Sequence, residues 1–424
     1  MEKSKKNFIG SFLLITFIYV FSVLLALVTK VSIKSVMYEF QYNVLIILIV
    51  MELFTNLISN TGIMEKLSVR IAILSKGNKK LILLFFGFLM FLISAFLNNI
   101  TAVMMILPII FVLLKTIGIN KKYLNLFFSV ILSISNTGGA SSPIGDFPAI
   151  VIMNSGITSF AGYLLRAFPM FLVTSVLLMG RWSLEVKNDD LNSAQKKLSI
   201  DMLQSRYKNL RVKKDVLLGL VLIFLFMFIG WSFIPQEIIP PEIIAILGYV
   251  VAMLFCKIKR VEVFQNIDFK PILTLSSFLF LSGVVSGTGI LNSIALYFQN
   301  NITNSKHLLL IIMLITSIVS GLFGAGPAAS AMMPVIVNLC LTTFSSQSDW
   351  VAIAYAASIC AGSSMFMWSA TAGIILSKEI NSADLIDNDN TKNISWNMGD
   401  YLKYGIQNYI IQLIFAIIVI CLVL

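Results

Sequence analysis

Residues 135–148 read Ser135-Asn136-Thr137-Gly138-Gly139-Ala140-Ser141-Ser142-Pro143-Ile144-Gly145-Asp146-Phe147-Pro148 and sit inside an otherwise apolar segment running from 123 to 153. Three glycines, two prolines and five hydroxyl or amide side chains cannot sustain a lipid-facing helix. The chain is expected to unwind here, and at membrane depth unwound backbone is tolerated only where protein or a water-filled cavity surrounds it. Such a loop offers bare carbonyls to a cation and helix amino-terminal N–H groups to an anion. The alternative, an outer loop between two short helices, requires each flanking run to span alone, and both are too short.

The rest of the chain supplies the membrane. Of 424 residues, 58% are hydrophobic and only 12% charged, where a soluble chain carries about 25% charged residues. The mean hydropathy is +0.91, and at about 20 residues per crossing there is room for about ten crossings. Continuous apolar runs such as Ile46 to Met51 and Leu81 to Phe86 exclude the alternation of a membrane β-barrel. The reading is an all-α polytopic membrane protein. Its net charge of +11 is placed around membrane segments, so nucleic acid is not an expected partner. The four cysteines, Cys256, Cys340, Cys360 and Cys421, lack metal-type spacing and read as packing residues. The basic start (Lys3, Lys5, Lys6) followed by the long stretch Phe8 to Val28 reads as a retained first helix.

Two charge-free runs, Leu81 to Leu114 and Leu308 to Phe344, are 34 and 37 residues long. Each is too long for one crossing and is interrupted midway, which predicts a re-entrant helical hairpin. Lys76, Lys79, Lys80, Lys115, Lys121 and Lys122 flank the first run, so both its ends are expected in the cytoplasm. The weakly charged flanks of the second put its ends outside. With the amino terminus cytoplasmic, 27 of 31 Lys and Arg fall on that side, in a multi-pass protein of the cytoplasmic membrane. The loop Lys378 to Lys403 fits poorly, because it carries more acids than bases.

The halves also match. Ile58 to Ile63 corresponds to Val285 to Ile290 at an offset of 227, Ala102 to Pro108 to Ala328 to Pro334 at 226, and Ser133-Ile134 to Ser358-Ile359 at 225. Opposite charge flanks then give two inverted repeats, each with a re-entrant hairpin and a broken transmembrane helix, as in secondary transporters. The expected organisation is an amino-terminal helix and outer loop (1–42), a first repeat (43–180), a basic cytoplasmic linker (181–214), two connecting helices (215–256), and a second repeat with a carboxy-terminal helix (257–424).

The first hairpin breaks at Asn98-Asn99-Ile100-Thr101, and two amides in hydrocarbon need partners. They are expected to face the loop at 135–148; helix-to-helix hydrogen bonding without a ligand is the alternative. The second hairpin breaks at Gly324-Ala325-Gly326-Pro327, without amides, opposite the loop Ala361 to Gly373. Glu52 and Asp146 are the acidic residues placed within the membrane, and an ionisable group at depth is a functional hypothesis. Both are candidates for proton or cation coupling, with N-capping the bland role for Asp146 and polar pairing the bland one for Glu52.

The stretch Asn136 to Pro148 resembles the GGxxTPIGDxP loop of the ion transporter superfamily, which includes ArsB-type arsenite permeases, NhaD-type sodium/proton antiporters, citrate transporters and divalent anion/sodium symporters. Ser94 to Thr101 resembles its first hairpin tip, Asp268 to Ala295 the start of its second repeat, and Cys360 to Gly373 its second unwound loop. The resemblance implies a two-repeat transporter, commonly a homodimer, that couples sodium or protons to a small ion. Its sodium sites transfer to Asn98, Asn99, Thr101, Asn136 and Gly138, with the carbonyls of 136–139. The Gly324 to Pro327 departure puts a second sodium site in doubt.

The residues expected to bind substrate or ion are Asn98, Asn99, Thr101, Asn136, Thr137, Gly138, Gly139, Ser142, Asp146, Gly326, Ser363, Ser364 and Thr371. No cofactor is expected beyond a coupling sodium ion. The function expected is secondary transport of a small inorganic or organic anion coupled to sodium or protons. NhaD-type sodium/proton antiport is the rival, and a polytopic membrane enzyme or passive channel the more distant alternatives.

Overall fold

The computed structural model of the protein describes residues 2–38, 40–117, 120–186, 201, 212–256, 269–290, 293, 304–383, 385 and 395–424, and among these every regular element is helical. Helix α1 (Glu2–Thr29) and short α2 (Ile33–Tyr38) precede α3 (Tyr42–Ser59) and α4 (Ile63–Leu74). The first hairpin is α5 (Lys79–Phe96) and α6 (Asn99–Ile117), the first broken helix α7 (Lys121–Ala140) and α8 (Phe147–Asn154), and α9 (Phe160–Ser183) is the long helix that follows. Then come α10 (Lys214–Phe233), α11 (Pro241–Cys256) and α12 (Phe269–Gly287). The second hairpin is α13 (Ser305–Phe323) and α14 (Ala325–Thr342), the second broken helix α15 (Ser348–Ser363) and α16 (Gly373–Ser382), and α17 (Met398–Val423) ends the chain. Most of the expected linker (187–200, 202–211), the start of the expected second repeat (257–268) and part of the acidic loop (384, 386–394) lie outside the described residues.

Caps set the helix starts. Asn78, Asn120, Ser159 and Asn304 each accept a first-turn backbone N–H through the side chain. The apolar run 167–180 predicts a span of its own, and the helix found there is longer: it begins at Phe160 because Ser159 caps it and because Arg166, a charge inside the first turns, is paired with Asp349 at 2.8 Å. A second correction concerns the loop. Asn136, Thr137, Gly138 and Gly139 remain helical, in the last turns of α7, and the chain leaves the helix only at Ser141. The two glycines serve close packing inside the wound helix, Gly138 against Phe91 and Ser94 of α5 and Gly139 against Asn99 of α6.

Burial follows the all-round apolar character of the central helices. Almost every residue of α7 from Tyr123 to Gly139, and every residue of α15 from Val351 to Ser363, is buried. On the periphery α10 exposes Leu218, Leu222, Leu225, Phe226, Ile229 and Phe233. That contiguous apolar face has no solvent other than lipid to meet, in keeping with seven helices long and apolar enough to cross a membrane among the described residues.

The repeat is visible in local geometry. Thr61 and Thr288 each donate the hydroxyl to the carbonyl three residues back, both at 2.6 Å, and each precedes a glycine at φ +74°. In the first half α7 lies so close to α5 that a Cβ at Gly138 would sit 2.6 Å from the Phe91 carbonyl oxygen and 3.0 Å from the Ser94 Cβ. In the second, Gly362 of α15 abuts the Ser317 carbonyl and Ser320 of α13 in the same way.

Direction distinguishes the copies. Helix α3 begins beside the end of α8, where Asn43 donates to Asn154 at 3.1 Å, whereas α12 ends there, with Ser286 and Ser155 lining one cavity. Helix α7 begins beside the end of α9, where Tyr123 and Glu185 line a cavity; α15 begins beside the start of α9, at the Arg166–Asp349 pair. The arrangement is consistent with inverted repeats. It also places two charge-swapped ion pairs at opposite ends: Lys121 of α7 with Asp400 of α17 at 3.3 Å, and Asp349 of α15 with Arg166 of α9.

The glycine at the α13–α15 crossing is the most exacting of these contacts. Gly362→Ala is expected to destabilise the protein by about 1–3 kcal/mol, through overpacking against backbone that cannot yield. At Gly180 of α9 an added Cβ meets nothing within 4 Å, so Gly180→Ala should be neutral or stabilising by up to about 1 kcal/mol. Thermal unfolding of both variants in detergent checks the contrast.

Candidate ion and substrate site

The two broken helices meet through their polar ends. At the end of α7 the carbonyls freed by unwinding find specific donors: Ser141 donates its amide (3.0 Å) and hydroxyl (2.6 Å) to Gly138, and Tyr163 of α9 donates to Ala140 at 2.8 Å. Ser142 donates its hydroxyl to the Ala95 carbonyl of α5, which ties the loop to the hairpin. The end of α15 repeats the device, with Tyr401 of α17 donating to the Ser364 carbonyl at 2.6 Å. Unpaired carbonyls at this depth would each cost several kcal/mol.

Asp146 lies where the chain re-enters helix. Its Oδ1 accepts the Phe147 amide at 2.8 Å and caps α8, while Oδ2 accepts from Asn99 Nδ2 at 3.1 Å and Thr371 Oγ1 at 3.4 Å. The cap role and the site role therefore belong to different oxygens of one carboxylate. Asn99 comes from the first hairpin tip and Thr371 from the second unwound loop, so three separate breaks converge on Asp146. Among the described residues no Lys, Arg or His pairs with it.

Asn99 also packs on Gly139, where an added Cβ would sit 2.7 Å from Asn99 Oδ1 and 2.8 Å from the Asp146 Cβ. Only glycine lets this helix, amide and carboxylate approach so closely. Asn136 donates to Ser364 Oγ at 3.1 Å, a second link between the halves. Asn99 and Asn136 are 1% and 2% exposed, yet Oδ1 of each has no partner. A buried unpaired amide oxygen costs about 1–3 kcal/mol, so both acceptors call for a donor or a cation. A cavity of about 10 Å³ bordered by Asn136, Ala140, Asp146, Tyr163, Ala325 and Ser363 has room for about one water or one bare monovalent cation. The donor set is all oxygen, which suits a hard cation such as sodium.

Not every expected residue shares this place. Thr137 faces α9, with its hydroxyl 2.8 Å from Ser175 Oγ. Gly138 faces α5, and Asn98 Oδ1 accepts the Ile100 amide at 2.9 Å, capping the tip locally. Thr101 donates to Glu52 Oε1 of α3 at 2.9 Å, a separate pair. Gly326 packs on Phe147, whose ring would lie 3.3 Å from a Cβ there. Ser363 borders the cavity but donates to the Cys360 carbonyl at 3.2 Å. Tyr163 escaped the sequence reading; its one signal is a phenol placed in an apolar segment, which needs a partner for its hydroxyl.

Sequence comparisons place the chain among membrane transporters. A model of the family described as Citrate transporter matches residues 6–360 in one alignment and 223–424 in another. An uncharacterized transporter of Mycobacterium tuberculosis (Rv2685) is 24% identical over 70% of this chain and 69% of its own length. The 46 kDa membrane protein of Mycobacterium leprae is 24% identical over 81% and 79%, and the magnetosome protein MamN of Magnetospirillum gryphiswaldense 23% identical over 82% and 77%. The family match covers nearly all of the chain and accords with the apolar helices and paired broken segments: this protein belongs to the citrate transporter family and is a multi-pass membrane transporter.

Proposed function

We propose that the protein is a secondary active transporter that moves a small anion, a carboxylate in the first instance, together with a cation bound at Asp146. The observation that carries this reading is the convergence of Asn99, Thr371 and Asp146, beside two unpartnered amide oxygens and with no basic side chain paired to Asp146 among the described residues. An anionic substrate beside a bare carboxylate is repelled: two charges 5 Å apart at an effective dielectric constant of 20 interact by about 3 kcal/mol. A sodium ion or proton at Asp146 removes that repulsion. Cation and anion then favour each other's binding reciprocally, by a factor of order a hundred. Sodium would be held by Asp146 with the amide oxygens of Asn99 and Asn136, and would supply the countercharge.

Sidedness follows from the same reading. The starts of α5 and α7, with Lys79, Lys80, Lys121 and Lys122, cluster with the end of α9 (Arg181) and the start of α17 (Lys403), which supports placing this end in the cytoplasm. Sodium/proton antiport at Asp146 is the second reading, favoured by the all-oxygen donor set. The two separate in proteoliposomes. Symport predicts citrate uptake that rises with a sodium or proton gradient, and a sodium-driven pH change with no anion present would sink it.

Asp146→Asn isolates the site role from the cap, since asparagine caps a helix about as well as aspartate. Its thermal midpoint should stay near the parent's, while cation-dependent uptake is lost and cation-induced thermal stabilisation falls by about tenfold in apparent affinity. Full coupling in this variant would refute the assignment. Asn99→Ala, which removes an amide oxygen and a donor to Asp146, should weaken cation affinity in the same direction.

A further inference from the structure

A cavity of about 420 Å³ lies beside Gln41 and Ser155, at the end of the molecule that carries Asn43 and Asp349 and away from the lysine-rich end. Its walls are α12, through Leu279, Ser282 and Ser286, and α14, through Ser330 and Asn338. Among the described residues no Asp, Glu, Lys, Arg or His lines it. Its volume lies in the range of small-molecule sites, about 300–1,000 Å³, whereas the cavity at Asp146 admits about one water.

Two elements run from one cavity to the other. Helix α8 starts at the Asp146 cap and ends at Ser155, and α14 borders the ion cavity with Ala325 and the larger one with Ser330. Between the cavities the Phe147 ring lies against Gly326, with Leu275 beside it; a Cβ at Gly326 would be 3.3 Å from the ring and 3.9 Å from Leu275 Cδ1. Leu275, Leu279, Ser282 and Ser286 recur at helical spacing along one face of α12, a continuous wall from this contact into the chamber.

The chamber's lining is partly polar, with Gln41, Ser282, Ser286 and Asn338 among its residues. Ser330 is 3% exposed and its hydroxyl has no protein partner, and Gln41 Oε1 is likewise unpaired. Ser282 meanwhile donates to the Ser330 carbonyl at 2.5 Å, so the backbone there is already satisfied.

We infer that this chamber is the entry vestibule of the transport path, where a hydrated small oxyanion rests on neutral hydroxyl and amide groups, and that Phe147 against Gly326 is the seal between vestibule and ion site. The inference rests on the transporter reading above. Neutral donors suit the role, because a path needs stations that a ligand can leave. Uncharged walls also keep the vestibule from competing with the loaded site for the cation.

The test uses the full chain in cells, with native cysteines replaced and uptake retained. Ser286→Cys should react with a membrane-impermeant charged methanethiosulfonate added outside, and citrate should slow that reaction several-fold. Reaction with a lipid-soluble maleimide but not with the charged reagent would make the chamber a lipid-filled groove and overturn the proposal, as would labelling that citrate leaves unchanged. Ser286→Trp, which fills the chamber, should cut citrate uptake about tenfold or more by occluding the path, while the cation-induced thermal shift at Asp146 persists. Undiminished uptake in Ser286→Trp overturns the vestibule. Failure of the transporter reading looks different: the parent chain takes up no citrate, and access of the charged reagent still decides whether the chamber opens to water.

Discussion

Backbone left unpaired by breaking a helix inside the membrane is the constraint around which this structure is built. A continuous span satisfies its own carbonyls; a helix that stops at Ala140 or Ser363 cannot, and lipid offers no donor. The answer in both halves is a phenol from the next long helix, Tyr163 to Ala140 and Tyr401 to Ser364. Hydroxyls add further ties between hairpin and broken helix, Ser142 to Ala95 in one half and Ser320 to Ile359 in the other. These bonds are what hold the hairpins against the unwound loops, and the site exists only because they do. The convergence on Asp146 is a by-product of making two breaks stable at one depth.

The symmetry of the scaffold is matched by an asymmetry of chemistry. The threonine–glycine turns and the glycine crossings repeat nearly atom for atom, while the hairpin tips do not. The first tip brings Asn99; the second brings Ala325 and Gly326, whose lack of side chain lets Phe147 pack on it. The second half therefore contributes one hydroxyl, Thr371, to a charge carried by the first, while Ser364 Oγ accepts from Asn136 beside it. Packing and recognition are divided between the copies, and the division leaves one carboxylate at the centre.

Much of this was legible in residue order because membrane depth makes polar residues conspicuous. Charge-free runs of 34 and 37 residues could only be hairpins, and glycine, proline and amides in an apolar segment could only be a break. The position of the unwinding within 135–148 was not legible. Helix propensity puts it at Gly138-Gly139, but these glycines serve close packing against α5 and Asn99 and stay helical. Direction of side chains was equally hidden: Thr137 and Asn136 are neighbours in sequence, yet one faces Ser175 and the other Ser364. The start of α9 was misplaced because Arg166 reads as a helix boundary until its partner, 183 residues away at Asp349, is known.

In the coupling proposed above, a carboxylate whose side-chain partners among the described residues are neutral has a consequence. Without a cation the centre carries one negative charge, and carrying that charge through low-dielectric surroundings is costly. Sodium or a proton makes the centre neutral and lowers the cost of reorientation, and it also removes the repulsion that keeps an anion out. Both effects favour movement of the loaded protein over the empty one. A basic residue in place of Thr371 would hold the anion more tightly but would neutralise Asp146 permanently, and substrate could then bind without the cation. On the proposed reading, weak neutral contacts around one charge would make transport depend on the ion gradient, and the modest hydroxyl of Thr371, 3.4 Å from Asp146, would serve that dependence better than a stronger partner.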